Sequence, residues 1–104
     1  MPEHEEPDVT FQITVPPEME AGVYANFVGV WHSPYEFTID FASMLPVQQH
    51  EPDGRPIVPC RVVARVKIPA SLVFDLIRTV NENMTRYEER FGEIRRPGPG
   101  GGPP

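Results

Sequence analysis

Three side chains in the middle of the chain are of the types that form a nucleophilic catalytic triad: His32, Ser33 and Asp40. A triad is recognised by the hydrogen-bonded alignment of its three groups and not by residue types alone. His32 and Ser33 are adjacent at a predicted turn, and nothing around the serine resembles a nucleophile elbow. The pattern therefore favours a simple turn at Ser33-Pro34, and we predict no catalytic residue.

The cysteine and histidines could in principle bind a metal ion. Cys60, His32 and His50 lie far apart, and no pair has the short spacing of a zinc site. We therefore predict no metal site and expect Cys60 to be a buried core residue. No cofactor is expected either, because the glycines at 98 and 100–102 precede no predicted helix and so form no phosphate loop.

Asn26 is a polar residue within an otherwise apolar predicted strand. A buried amide needs hydrogen-bond partners, which a neighbouring loop or a recognition interface could supply. Together with His32 and Asp40, it supports an alternative hypothesis of a small-molecule-binding protein or enzyme. That hypothesis requires all three side chains to line one deep pocket.

The net charge of −6 is concentrated at the start of the chain. Residues 1–20 hold six acidic residues and no basic one, whereas residues 21–104 hold nine of each. We predict a disordered acidic leader at 1–8, a single domain at 9–94 and a flexible proline- and glycine-rich tail at 95–104. Because the domain is nearly neutral, it lacks the clustered basic residues that nucleic-acid binding requires, and no nucleic-acid partner is expected.

Three features of the sequence indicate a cytoplasmic protein. No segment approaches the roughly 20 consecutive apolar residues of a membrane-spanning helix, so no membrane partner is expected. The acidic N-terminus lacks the basic and apolar regions of a signal peptide. With Cys60 as its single cysteine, the chain cannot form an internal disulfide.

Four segments have the alternation or the apolar content of β-strands. They are Asp8–Val15, Val23–Trp31, Tyr35–Phe41 and Ile57–Ile68. Residues 42–56 carry three prolines and an Asp-Gly pair, and are predicted to form a loop.

The longest predicted strand has one apolar and one largely basic face. Its core face is predicted to hold Cys60, Val62, Ala64, Val66 and Ile68, and its other face Arg61, Val63, Arg65 and Lys67. If this strand pairs with Tyr35–Phe41, the basic residues lie opposite Glu36 and Asp40. The basic residues are therefore interpreted as members of cross-strand ion pairs and not as an anion site.

From Leu72 the apolar period changes to that of an α-helix. One stripe holds Leu72, Val73, Leu76, Ile77, Val80, Met84, Tyr87 and Phe91, and Gly92 is placed to cap the C-terminus. A helix of about 22 residues is roughly 33 Å long, so it should cross a sheet diagonally and can overhang it. We expect Leu76 at the centre of the helix–sheet interface.

This order of elements predicts an α+β fold with two layers. A four-stranded antiparallel sheet would carry one long C-terminal helix packed on one face. The hairpin at Ser33-Pro34 decides which residues join the core. An even-numbered loop places Val28 and Val30 with Phe37 and Ile39 and leaves Phe27 and Trp31 on the far face, and an odd-numbered loop does the reverse.

Either register leaves apolar residues on the face that the single helix does not cover. The candidate interface residues are Tyr24, Asn26, Phe27, Val28, Val30, Trp31 and Val63. Contiguous exposed apolar surface usually marks a contact, and closed two-fold association is the commonest way to cover it. We therefore expect a homo-oligomer, either a dimer or a dimer of dimers.

The segments YANFVGVWHSPYEFTIDF and RVVARVKIPASLVFDLIRTVNENMTRYEERFGEI resemble a prokaryotic family, the one known as domain of unknown function 3467. The resemblance covers about Glu20–Ile94 and implies no particular activity. Several strands followed by a long helix are also similar in architecture to the export chaperone SecB, which binds unfolded chains as an oligomer. That similarity makes a SecB-like arrangement possible, but fold alone does not imply function.

These observations favour a non-enzymatic, small cytoplasmic interaction module that forms oligomers. One alternative is a SecB-like holdase that binds apolar segments of client proteins, since apolar surface is expected outside the core. The other alternative is the small-molecule-binding protein or enzyme described above.

Overall fold

The computed structural model describes residues 8–96. Residues 1–7 and 97–104, which hold nearly all of the predicted leader and tail, lie outside the described residues. The strands are β1 (Phe27–His32), β2 (Glu36–Met44), β3 (Gln49–His50), β4 (Pro56–Ile57) and β5 (Cys60–Pro69), and they precede one α-helix, α1 (Val73–Phe91). Short 3-10 helices occur at Pro17–Met19 and Ala70–Leu72.

The fold is α+β with an antiparallel sheet and a C-terminal helix, as predicted. The prediction of a single four-stranded sheet is wrong. β1, β2 and β5 form a three-stranded sheet in the order β1-β2-β5, and β3 pairs with β4 in a separate two-stranded sheet. The predicted loop at 42–56 therefore contains the end of β2 and half of a small hairpin. The predicted strand Ile57–Ile68 is divided, because Val58 and Pro59 separate β4 from β5.

The predicted strand at Asp8–Val15 does not form within this chain. Residues 8–16 have no regular secondary structure, and Phe11 and Ile13 are 82% and 85% exposed. Alternating apolar residues favour an extended strand, but a strand is completed only by a neighbour that shares its backbone hydrogen bonds. No described strand takes that place beside residues 8–15, which we call the arm.

The hairpin between β1 and β2 has an even-numbered loop. His32 lies opposite Phe37, which leaves four residues between them. The Ser33 amide donates to the Glu36 carbonyl at 2.9 Å, and the Ser33 hydroxyl accepts from the amides of Tyr35 and Glu36, each at 3.3 Å. A serine hydroxyl that bonds to backbone amides two and three residues ahead stabilises a tight turn.

This register determines which side chains lie on each face of the sheet. Val28 and Val30 share one face with Phe37, Ile39 and Phe41, and we call it the inner face because α1 begins above it. Phe27 and Trp31 share the opposite face, which we call the outer face, with Thr38, Asp40 and Ala42.

A β-bulge in β5 changes which side chains reach the inner face. Phe41 lies opposite Ala64, but the next residue, Ala42, lies opposite Val62, so Val63 is the extra residue. Beyond a bulge the alternation of side chains is reversed relative to the partner strand. Ala64, Val66 and Ile68 lie on the inner face as predicted, whereas Val62 and Cys60 lie on the outer face.

The interpretation of Cys60 as a buried core residue is wrong, because this cysteine is exposed. The reversal at the bulge moves it away from the inner face, to a position opposite Met44 at the end of β2. The bulge also moves Arg61 to the inner face, where it lies opposite Ser43. Arg65 lies on the outer face, opposite Asp40.

The helix begins where the sequence places it and ends at the predicted cap. Pro69 is the last residue of β5, a 3-10 turn follows, and α1 then runs to Phe91. Gly92 has φ of +99°, which favours glycine, and its amide donates to the Glu88 carbonyl at 3.0 Å.

The core of the described chain is small and belongs to β2 and β5. The buried residues are Ile39 and Ile68 on the inner face and Thr38, Asp40 and Ala42 on the outer face. No residue of α1 is buried, and Leu76, expected at the centre of the helix–sheet interface, is 39% exposed. The helix therefore meets the sheet only at its beginning.

Candidate functional site

An apolar groove runs from the inner face of the sheet along the first half of α1. At the sheet it is a cavity of about 290 Å³, lined by Val30, Phe37, Ile39, Ile68, Val73, Leu76 and Ile77. It continues on the helix as a second depression of about 330 Å³, which shares Leu76 and Ile77 and adds Val80, Asn81 and Met84. Protein interiors are normally filled to close packing, so a void of this kind between sheet and helix is unfilled apolar space.

The apolar stripe of α1 continues beyond the groove. Tyr87 and Phe91 lie one and two turns past Met84, with their ring centroids 5.0 Å apart. They are 49% and 66% exposed. Amphipathic helices normally bury such a stripe against a core, and the described chain provides no core at this position.

The outer face of the sheet has a different chemistry, which centres on Asp40. One Asp40 oxygen accepts from Nε of Arg65 at 2.7 Å. The other accepts from Nη2 of Arg65 at 2.8 Å and from Nε1 of Trp31 at 3.0 Å. Lys67 donates to the hydroxyl of Thr38 at 3.1 Å and to Glu36 at 3.3 Å. The prediction of cross-strand ion pairs is confirmed for Arg65 and Lys67.

This arrangement lowers the pKa of the Asp40 carboxyl from 3.8 to about 2. The hydrogen bonds from Arg65 are the largest cause, and desolvation by burial opposes them. Hydrogen bonds and a nearby positive charge favour the ionised form of a carboxylic acid. Asp40 is therefore a carboxylate held by its neighbours on a sheet face, and its chemistry indicates a structural ion pair.

The candidate interface residues are divided between the two faces. Phe27 and Trp31 lie on the outer face, and Val28 and Val30 lie on the inner face. Val63 is the bulge residue and lines a cavity with Met19 and Val23 at the edge of β5, and Tyr24 is exposed in the segment before β1. Their role at an interface stays a prediction.

Asn26 extends the pairing of β1 with β2. Its amide donates to the Ala42 carbonyl, and its side-chain oxygen accepts from the Met44 amide, both at 2.9 Å. The side chain therefore holds the end of β2, which is a structural task.

The structure does not gather the residues of the enzyme alternative into one pocket. His32 lies opposite Phe37 on the inner face, and its ring centroid is 5.6 Å from that of the phenyl group. Asp40 lies on the outer face, and Asn26 is bonded at the far end of the hairpin from His32. Within residues 8–96, no group of three or more His, Cys, Asp or Glu side chains is arranged to bind a metal ion.

The overhang of α1 was expected from its length, but the exposure of its whole apolar stripe, including Leu76, was not. A signal for it was present in the spacing of Val73, Ile77, Val80, Met84, Tyr87 and Phe91, whose intervals alternate between four and three residues. That is the seven-residue repeat of helices that pack against other helices. In the part of the chain that the structure describes, no helix is long and apolar enough to cross a bilayer.

A family model described as "Protein of unknown function (DUF3467)" matches residues 1–96. The chain belongs to the DUF3467 family. No curated protein and no solved structure matches it with significant similarity. The family resemblance seen in the sequence is thus confirmed, whereas the SecB-like arrangement stays a prediction for this DUF3467 chain.

Proposed function

We propose that this DUF3467 protein is a non-enzymatic interaction module that works as a homo-oligomer. The observation that carries the proposal is the apolar groove with the exposed stripe of α1 beyond it. Contiguous apolar surface of this extent is unusual on a monomer and marks a contact surface. A chain of this size also buries only about 60% of its unfolded surface, so a second copy would add much of the missing core.

The arm adds a second argument for association. Its apolar residues alternate at Val9, Phe11, Ile13 and Val15, and each is more than half exposed. β1 and β5 are the two edges of the main sheet, and an edge strand offers unpaired backbone groups to another chain. Addition of an extended segment to a sheet edge is a common mode of protein recognition.

The proposal also includes a cytoplasmic location, in which a lone cysteine such as Cys60 stays reduced. It assigns no catalytic residue, metal or cofactor, since Asp40 and Asn26 are both engaged in holding the sheet together.

The test of the proposal is the mass of the purified chain in solution, measured by light scattering coupled to size exclusion over a dilution series. A mass of twice or four times the chain mass of 11.7 kDa supports it. A mass near 11.7 kDa at every concentration would refute it.

The second candidate function is a SecB-like holdase, and the observation that favours it is the same groove. A groove lined almost wholly by apolar residues could accept an unfolded apolar segment of a client. The purified protein should then suppress the aggregation of a heat-unfolded reporter protein. A variant with Val80→Glu should lose that effect, and no suppression at several-fold molar excess would exclude this candidate.

A further inference from the structure

The seven-residue repeat on α1 defines a seam of six residues, and its two ends differ in size. The first three residues are β-branched: Val73, Ile77 and Val80. The last three are long or aromatic: Met84, Tyr87 and Phe91. The two halves of the seam are placed symmetrically about residue 82. Each smaller residue of the first half lies as far from residue 82 as one larger residue of the second half.

From this pattern we propose that α1 pairs in antiparallel orientation with α1 of a second copy, with the two-fold axis near residue 82. This inference rests on the proposed self-association and specifies its geometry. Met84 then lies opposite the second copy's Val80, Tyr87 opposite its Ile77, and Phe91 opposite its Val73. Each layer combines one large and one small side chain, which fills a seam more evenly than two aromatic rings or two valines.

The antiparallel orientation also supplies groups that fill the cavity between helix and sheet. Val73 and Ile77 line that cavity in each copy. The two residues that face them in the proposed pair are Phe91 and Tyr87 of the other copy, whose rings are exposed in the isolated chain. The aromatic pair of each copy would therefore cover the open apolar cavity of about 290 Å³ in the other copy.

A parallel pair would leave that cavity open. It would place Val73 of one copy against Val73 of the other, at the end where both cavities lie. At the opposite end it would pack Tyr87 and Phe91 of one copy against the same two residues of the other. It would also bring both sheets to the same end of the pair, because each sheet lies beside the start of α1. The antiparallel pair places the two sheets at opposite ends.

Asn81 supports the position of the axis. It is the polar member of the groove on the helix and lies next to residue 82. In the antiparallel pair it meets the second copy's Asn81 close to the axis. An amide is both donor and acceptor, so two amides related by a two-fold axis can bond to each other. A polar residue within the seam of a coiled coil specifies register, and a bonded amide pair at the edge of this seam would favour the register centred on residue 82 in the same way.

The exposed area is sufficient for such a contact. The five seam residues after Val73 are between 44% and 66% exposed. An aromatic side chain has an area of about 150–250 Å², so the exposed apolar area of the seam is roughly 500 Å² per copy. Two copies would bury about 1,000 Å² through the seams, and the lining of the cavity brings the total toward the range of about 1,200–2,000 Å² for specific interfaces.

Cysteine pairing tests the orientation in the 104-residue chain, with Cys60→Ser as the background. Two preparations, Ile77→Cys and Tyr87→Cys, differ in an affinity tag and are mixed, allowed to exchange and oxidised. We expect a disulfide between the two different chains, because residues 77 and 87 face each other across the antiparallel seam. Disulfides require Cα atoms within about 7 Å, and residues 77 and 77 of the two copies would be about 15 Å apart along the axis.

A second measurement leaves the seam unaltered. Spin labels are placed on the solvent-facing side of α1, at Glu82 in one variant and at Glu89 in another. In the antiparallel pair, the two labels at 82 lie at the same height, whereas the two labels at 89 are displaced by about 21 Å along the axis. The label distance should therefore be clearly longer at 89 than at 82.

The outcomes separate this inference from the proposed function. Disulfides between like chains, together with equal label distances at 82 and 89, would show a parallel pair and overturn the inference. An oligomer in which neither cysteine crosslinks and the label distances do not differ would overturn it as well, while leaving self-association intact. A protein that light scattering shows as a monomer would overturn the proposed function itself.

Discussion

A single carboxylate placed in the seam should separate the copies without harming the isolated chain. Val80 is 53% exposed in one copy, and in the proposed pair it packs against the second copy's Met84. In the isolated chain, Val80→Glu adds a charge at an exposed helix position, where substitutions usually change the stability by less than about 0.5 kcal/mol. Glutamate also has a higher helix propensity than valine.

In the pair, the same substitution carries two costs in each copy. Full burial of a valine contributes about 1.5–2 kcal/mol, so the half that association buries contributes about 1 kcal/mol. A buried polar group without a partner costs at least about 2 kcal/mol. The loss is thus about 3 kcal/mol per copy and about 6 kcal/mol per dimer, which corresponds to a roughly 10⁴-fold weaker association.

The assay is light scattering over a dilution series, with circular dichroism to follow the helix content. Thr79→Glu is the matched control, because it adds the same carboxylate to a neighbouring β-branched residue whose place in the repeat is outside the seam. We expect the mass of the Val80→Glu protein to fall toward 11.7 kDa while the control keeps the mass of the unmodified protein. If both variants keep that mass, or if both lose it equally, the seam is not the contact. Val80→Ala serves as the milder substitution should the glutamate variant fail to fold.

Three further predictions concern the individual chain, and the first and the third can be measured at neutral pH in the Val80→Glu background. Ile68 is 8% exposed, so Ile68→Ala should lower the free energy of unfolding in urea by about 2–5 kcal/mol, and Val66→Ala on the same face, at 43% exposure, should cost clearly less. The pKa of Asp40 is lowered from 3.8 to about 2, so its contribution to stability is complete above pH 3.8 and is lost as the pH falls toward about 2. The difference in urea midpoint between the chain and its Asp40→Asn variant should shrink over that interval, and a difference that stays constant would contradict the assignment. Deletion of residues 8–15 should leave the urea midpoint unchanged, because Phe11 is 82% exposed, and a large fall would show that the arm packs on the domain.

The parts of the fold that the sequence predicted correctly depend on local patterns. The alternation from Tyr35 to Phe41 predicted most of β2, which runs from Glu36 to Met44, and the change to a helical period after Pro69 predicted α1 with its cap at Gly92. The pairing of Arg65 with Asp40 followed from the alternation of the two strands. Each of these signals is a direct consequence of backbone geometry, so it survives without knowledge of the rest of the chain.

The parts that the sequence did not predict depend on pairing between distant segments. A bulge is a single extra residue, and nothing in the residue type of Val63 marks it, yet it turns Cys60 from the inner face to the outer face. The arm shows the same limit, because alternation indicates that a segment is suited to a sheet without indicating which strand lies beside it. The loop parity at Ser33 was left open for a similar reason, since the turn geometry is set by hydrogen bonds to that hydroxyl.

The chemistry of the two sheet faces determines where association should occur. The prediction from sequence placed the uncovered contact surface on the side away from the helix. That outer face holds the Asp40 carboxylate together with Arg65 and Lys67, whose side chains are 57% and 56% exposed. Covering it would require desolvation of these charged groups, which opposes association unless a partner replaces their contacts with water. The inner face and the seam of α1 carry apolar side chains almost throughout, and their burial has no such cost. The helix leaves the core of its own chain open, and in the proposed dimer a second copy would complete it.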